Sequence, residues 1–244
     1  QALGLLMDMD HRRVLPDALV YVAAIGACER GLRWNQALVL LETMLKRSLE
    51  RNVLVYNAVT SAMRRAGQWQ RVVEMLQELQ ERGVETSADM FSDAIHACEE
   101  CQKWELVLGL LMHGRSISVG LPLVAHNVAI TALGRNLKWD LALAVFVAVE
   151  QGAIEPDVVT YNAAIAACEK CQQWEQALVL LSRACAIAVE IDVITYNTAI
   201  STCEKAQQWE RAVALLHGVW RSDVEPDVVT YNAAVSACEK GRQW

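Results

Sequence analysis

The sequence predicts an all-α fold, a superhelical solenoid made from one helix–turn–helix unit copied end to end. Three observations carry that prediction. Seven tryptophans, Trp34, Trp69, Trp104, Trp139, Trp174, Trp209 and Trp244, stand 35 residues apart. Thirteen residues ahead of each lies Tyr21, Tyr56, Phe91, His126, Tyr161, Tyr196 or Tyr231. The period runs through all 244 residues without an insertion. Self-similarity at a fixed period of roughly 20–50 residues is the signature of stacked repeats.

Counted from three residues before the aromatic, six complete repeats occupy 18–52, 53–87, 88–122, 123–157, 158–192 and 193–227. Partial repeats remain at 1–17 and 228–244, so 1–244 is expected to be a single solenoid. Solenoids close with polar capping repeats; none is visible, and the chain is expected to be a fragment of a longer array.

The fifth copy, VVTYNAAIAACEKCQQWEQALVLLSRACAIAVEID, justifies each element in order. Pro156 ends what precedes it, and Asp157 and Thr160 are helix-start residues. Tyr161 to Lys170 is rich in Ala, with Ile165 and Cys168 three apart, which suits a helix with a narrow buried stripe. Cys171-Gln172-Gln173 is a polar break. From Trp174, the apolar residues Ala177, Leu178 and Leu181 recur at helical spacing and mark a second, amphipathic helix. Neither helix buries its stripe alone; stacking makes a continuous core. The tryptophans open second helices and are expected to pack between helices.

The longest apolar run, Leu141 to Val149, is far short of the roughly 18 residues of a membrane span. Five of the eight cysteines (Cys28, Cys98, Cys168, Cys203, Cys238) fill one column and read as small packing residues. Cys98-x-x-Cys101 and Cys168-x-x-Cys171 supply two ligands each, two repeats apart, too few and too distant for zinc. No metal or cofactor is expected.

Glu155-Pro-Asp-Val-Val-Thr-Tyr-Asn162 recurs as Glu225 to Asn232, and Gln-Ala-Leu follows the second-helix start at Gln36 and Gln176. With the 35-residue period, these strings resemble the pentatricopeptide repeat over the whole chain. Tetratricopeptide repeats place their Trp and Tyr differently. The resemblance implies a right-handed superhelix that binds single-stranded RNA, one base per repeat. It implies that the fifth and last residues of a repeat read the base and that the second, usually aliphatic, wedges against it.

Carried over, the base readers are Asn57 with Ser87, Asn127 with Asp157, Asn162 with Asp192, Asn197 with Asp227, and Asn232. The wedges are Leu54, Val124, Val159, Ile194 and Val229. An Asn amide both donates to and accepts from the edge of a pyrimidine. By the family's pairing rules Asn/Asp implies uridine and Asn/Ser cytidine, so the expected site is 5′-N-C-N-U-U-U-3′. A purely architectural role for the Asn column is the alternative, since Asn near a helix start often serves the backbone.

The chain departs from the pattern in two repeats. The first has Val22 in the reader column, and Asn52 closes it. The third combines Ser92 with Pro122, has Asp89 for the wedge, and is expected to be a spacer.

A formal charge of −7 argues against a broad phosphate-binding face. The position nine after the aromatic nevertheless reads Arg30, Arg65, Glu100, Arg135, Lys170, Lys205 and Lys240. Its six cations are candidate phosphate contacts, with helix-dipole capping as the compatible alternative. The position before it is mostly acidic (Glu29, Glu99, Glu169, Glu204, Glu239).

No nucleophile–base arrangement, Gly-rich phosphate loop or H-x-E is present in the sequence, and no catalysis by this segment is expected. Single-stranded RNA is the expected partner, in a mitochondrion or chloroplast by family resemblance, for RNA processing, stabilisation or translation. Other proteins are possible partners; a membrane or a small-molecule substrate is not expected. The alternative is a tetratricopeptide-like protein-interaction scaffold.

Overall fold

The computed structural model describes residues 16–47, 53–152, 154–187, 190–222 and 224–242. Most of the half-repeat expected at 1–17, together with Asn52 and Trp244, lies outside them. Thirteen α-helices and no strand occur among the described residues. They are α1 (Ala18–Arg30), α2 (Trp34–Lys46), α3 (Val53–Arg65), α4 (Trp69–Glu81), α5 (Ala88–Glu100), α6 (Trp104–Ser116) and α7 (Leu123–Arg135), followed by α8 (Trp139–Glu150), α9 (Val158–Lys170), α10 (Trp174–Ala186), α11 (Val193–Lys205), α12 (Trp209–Val219) and α13 (Val228–Lys240). Odd-numbered helices are the first of a repeat and even-numbered the second. The chain divides into two compact units, Gln1–Ala125 and His126–Trp244.

In each unit the same packing recurs. First helices lie on first helices (α1 on α3 and α3 on α5; α9 on α11 and α11 on α13). Second helices lie on the first helix of their own repeat and on that of the next, as α12 does on α11 and α13. Each unit is therefore an all-α helical-repeat solenoid.

The first helices start on side-chain caps. Asp17, Ser87, Asp157, Asp192 and Asp227 accept from the backbone N–H three residues on, and Thr160 and Thr230 close capping boxes. They end on a tight left-handed turn. In all six complete turns the residue two before the tryptophan has positive φ: Leu32, Gly67, Gln102, Leu137, Gln172 and Gln207. At the third, Lys103 N–H reaches Cys98 C=O at 2.8 Å and Gln102 N–H reaches Glu99 C=O at 2.9 Å. That is a Schellman motif. Only Gly67 is a glycine, so the polar break predicted from sequence is a geometric stop that mostly lacks its usual residue.

The core is made of columns. Ile25, Ile95, Ile130, Ile165 and Ile200 are fully buried. Cys98, Cys168 and Cys203 are too, and burial, the largest influence, pushes their thiols up to about 11, 12 and 11. They stay protonated at neutral pH and pack as small apolar groups. Trp34, Trp69, Trp104, Trp139, Trp174 and Trp209 are half-buried at the joints between repeats. Trp209 packs so closely on the end of α13 that a Cβ on Gly241 would lie 2.5 Å from its ring. Lys103 Nζ sits 5.7 Å above the Trp69 ring. These rings are packing groups, as their helical register predicts.

Candidate nucleic-acid interface

Each repeat holds three side chains in register: its second residue, aliphatic except at Asp89, and its fifth, the reader, on the first helix, and its last, which precedes the next first helix. The cap is the last residue of the repeat. Thus Asp157, Asp192 and Asp227 are structural caps as well as candidate readers.

In the second unit the asparagines reach forward to those caps. Asn162 Nδ2 donates to Asp192 Oδ1 at 3.3 Å, Asn197 Nδ2 to Asp227 Oδ1 at 3.0 Å, and Asn127 Nδ2 to Asp157 Oδ1 at 3.5 Å. The structure therefore brings each predicted reader pair together across a repeat boundary. The Asn column does not cap its own helix; the caps are supplied by the Asp column. Asn232 is exposed.

The pair in the first unit has another polarity. Ser87 Oγ donates to Asn57 Oδ1 at 2.7 Å, and Asn57 Nδ2 donates to Asp89 Oδ2 at 3.3 Å. Asp89 stands in the wedge column of the third repeat, yet its carboxylate serves the reader of the second. Half-buried Ser92 and exposed Pro122 occupy the reader positions of the third repeat; the proline ring offers a base no hydrogen bond.

The wedge positions face solvent. Leu54, Val124, Val159, Ile194 and Val229 are 55–60% exposed, whereas the residue after each is buried in all five: Val55, Ala125, Thr160, Thr195 and Thr230. Single exposed aliphatics are ordinary. Their recurrence at one repeat position, interrupted only by Asp89, is placed by the fold.

Several of the candidate phosphate cations are already paired. Arg65 Nε lies 3.1 Å from Glu29, Lys205 Nζ 2.9 Å from Glu169, and Lys240 Nζ 2.8 Å from Glu204. The same carboxylates accept from Ser61, Ser201 and Ser236 at 2.9, 2.7 and 2.6 Å. The acidic column is thus the acceptor of a ladder that ties α1 to α3, α9 to α11 and α11 to α13. One rung is reversed: Arg64 stands in the acidic column, Glu100 in the basic one, and the two are 3.9 Å apart. Arg64 Nε also binds Asp93 at 2.7 Å.

Another rung is missing, because Gly134 and Ala166 replace the acid and the hydroxyl. Gly134 lets α7 and α9 approach until an added Cβ would lie 2.7 Å from Ala167. A cavity of about 210 Å³ opens there, lined by Thr131, Arg135 and exposed Lys170 among small residues, with no acid. Arg30 is exposed at the start of the column.

Burial tends to raise the Asp157 and Asp192 carboxyls, but donors from Thr160 and Asn127, and from Thr195 and Asn162, outweigh it and hold both below the usual value. Asp227 is held down chiefly by the Thr230 backbone N–H, then by Asn197 and the Thr230 hydroxyl. All three are anions at neutral pH and accept only.

Comparison with known families settles what these columns belong to. The pattern of the PPR repeat family matches residues 191–240, that of the pentatricopeptide repeat domain 39–100 and 119–170, and that of the PPR repeat 159–184. The chain belongs to the pentatricopeptide repeat family. No curated protein matches its sequence. Among solved structures, the pentatricopeptide repeat protein PPR10 from maize aligns with a TM-score of 0.79 at 19% identity, over 99% of this chain and 34% of that one. PPR10 in complex with an 18-nt psaJ RNA element aligns at 0.51 and 18% identity, over 97% and 40%. The PPR domain of Arabidopsis thaliana protein-only RNase P 1 in complex with tRNA aligns at 0.64 and 14% identity, over 81% and 100%. The chain thus spans about a third of the maize protein, and at these identities the likeness is one of fold.

Two features of this pentatricopeptide chain escape sequence reasoning. The glutamates of the acidic column bind cations 36 residues ahead, a distance that is local only after the helices stack. Thr195 and Thr230, visible as helix-start residues, also touch the preceding repeat's asparagines. Among the described residues no cluster of three or more His, Cys, Asp or Glu is placed to hold a metal, and no helix is long and apolar enough to cross a membrane.

Proposed function

We propose that this chain binds single-stranded RNA through the first turns of its first helices, one base per repeat. The observation that carries this reading is the threefold recurrence in the second unit of an asparagine–carboxylate pair (Asn127/Asp157, Asn162/Asp192 and Asn197/Asp227), the last two beside the half-exposed aliphatics Val159 and Ile194. A flat base covers the aliphatic with its face and meets the polar pair with its edge. Stacking of this kind contributes about 1–3 kcal/mol per base. Amide donors and carboxylate acceptors side by side suit the edge of uracil, which carries carbonyl acceptors around an N–H donor.

The preferred site is 5′-N-C-N-U-U-U-3′, with cytidine opposite Asn57/Ser87 and no base read by the repeat at 88–122. The paired cations leave little free positive charge, so base contacts outweigh phosphate contacts in this segment. Lys170, whose partner position is Gly134, is the phosphate anchor we favour. An RNA processing, stabilisation or translation role in a mitochondrion or chloroplast follows from family membership as part of the same proposal.

Fluorescence anisotropy with NNCNUUU against an A-rich heptamer at low salt tests the reading, with tighter binding of the pyrimidine strand expected. Equal affinity for both, or none, would sink it and favour a protein-interaction scaffold. Asn162→Thr is expected to move the preference at the fifth nucleotide of the 5′-N-C-N-U-U-U-3′ site, the sixth of the heptamer, from U toward G, as the family's pairing rule for Thr/Asp implies. An unchanged preference would return that column to architecture.

A further inference from the structure

A carboxamide is nearly symmetric in shape, and a half-turn about its terminal torsion exchanges donor for acceptor. A reader built on Asn therefore discriminates only if something prevents that exchange. An ionised aspartate attracts the NH₂ end, as Asp192 does for Asn162 and Asp227 for Asn197. In the second unit a further group holds the other end. Thr230 Oγ1 donates to Asn197 Oδ1 at 2.6 Å, and Thr195 Oγ1 donates likewise to Asn162 Oδ1. Both threonines are fully buried, and each hydroxyl is also within 2.7–2.9 Å of the cap carboxylate, at Asp192 Oδ1 or Asp227 Oδ1. Packing thus fixes the hydroxyl oxygen before any ligand arrives, and its single proton is shared between the asparagine carbonyl and the cap carboxylate.

The same chain contains its own contrast. Thr160 has the same place in its helix and bonds its cap, Asp157 Oδ1, at 2.7 Å. Yet Asn127 Oδ1 is buried with no hydrogen-bond partner, and its Nδ2 bond to Asp157 is the longest of the three at 3.5 Å. Asn127 is held at one end; Asn162 and Asn197 are held at both.

We propose that Thr195 and Thr230 are specificity-positioning residues for the repeats that precede them: each locks the carboxamide of Asn162 or Asn197 in one orientation and so sets the preference for uracil over cytosine. The inference rests on the RNA-reading function proposed above. Turning the amide over would bring its carbonyl against the ionised carboxylate, replacing that bond with repulsion, and its NH₂ against the hydroxyl, which would change from donor to acceptor. Uracil offers an acceptor at its 4-position and cytosine a donor, so telling them apart requires that the reader's ends stay put. The threonine reaches no base itself; it acts from the next repeat, 33 residues ahead.

The test compares affinities for oligomers with U or C at a single nucleotide. Thr195→Val removes the hydroxyl at constant volume, and Thr195→Ser keeps it. Thr160→Val removes an equivalent cap hydroxyl that holds no asparagine. Loss of one neutral hydrogen bond predicts that Thr195→Val lowers the U-over-C ratio at the fifth nucleotide by about 3- to 10-fold. Thr195→Ser should restore it, and Thr160→Val should leave the ratio at the fourth nucleotide unaltered. A Thr195→Val protein with wild-type helicity and an unchanged ratio overturns the inference. So does an equal loss in Thr160→Val, which would assign the effect to helix capping. A wild-type protein that does not distinguish U from C at the fifth nucleotide fails one step earlier, at the RNA-reading function itself.

Discussion

The repeats at 158–227 and the repeat at 88–122 keep the same skeleton and differ almost entirely in their polar columns. Ile95 and Cys98 are as fully buried as Ile200 and Cys203. Trp104 opens its helix as Trp174 and Trp209 open theirs. Where the later repeats carry Asn and Asp, however, the third has Ser92 and Pro122, and its part of the ladder is inverted into Arg64, Asp93 and Glu100. The comparison teaches that folding and reading use separate columns. The core is set by side chains facing other helices, and the interface by side chains at the first turn, so one can drift while the other cannot.

The largest expected effect tests the sameness of the skeleton. Ile200→Ala and Ile95→Ala should each destabilise by about 2–5 kcal/mol in urea unfolding, because both truncate a fully buried side chain. A much smaller cost at Ile95 would mean that the third repeat is not held as the others are.

The ladder comes next. Arg64→Ala strips its cation from Asp93, a carboxylate whose side chain is 17% exposed, leaving Thr60 as its donor. A cost of about 1–3 kcal/mol is expected. Lys205→Ala breaks a pair whose lysine is 45% exposed and should cost less than about 1 kcal/mol. Equal costs would remove the distinction between the inverted rung and the regular one.

Acid separates the two regions by sign. The caps Asp157, Asp192 and Asp227 have carboxyls held below their ordinary value. Their stabilisation is complete above about pH 4 and is lost as pH falls through the folded values. Asp93 is shifted upward, burial outweighing its bonds to Arg64 and Thr60, so protonating it on acidification relieves a cost. Asp192→Asn should flatten the fall in stability between about pH 5 and 3, and Asp93→Asn should steepen it. The same slope in both variants would contradict the assignment.

The smallest effect should be common to both regions. Gln102→Gly and Gln172→Gly each relieve a non-glycine residue at φ near 58° and 57°. A gain of about 0.5–1 kcal/mol each is expected in thermal or urea unfolding.

Much of this was legible beforehand. The tryptophan and tyrosine columns announce the period, and the helices do start at residues 18, 53, 88, 123, 158, 193 and 228. The Asn–Asp pairing was legible as a pattern, although the double duty of Asp192 as cap and partner was not. The partners of the cation column were not legible. Lys205 and Lys240 stand beside acids in the sequence, but the acids that bind them, Glu169 and Glu204, belong to the preceding repeat. The left-handed turns were legible only at Gly67, because the other positions carry Leu or Gln.

The sequence by itself determined the repeat, the helix pair and the buried columns, because periodicity and apolar spacing are local properties that each copy restates. Only the tertiary structure decided which polar group meets which. Those meetings span 30 to 36 residues, as in Asn162 to Asp192, Thr195 to Asn162 and Lys205 to Glu169. They come into being when one first helix is laid on the next, and a hydrogen bond forms only where stacking brings donor and acceptor within about 3 Å.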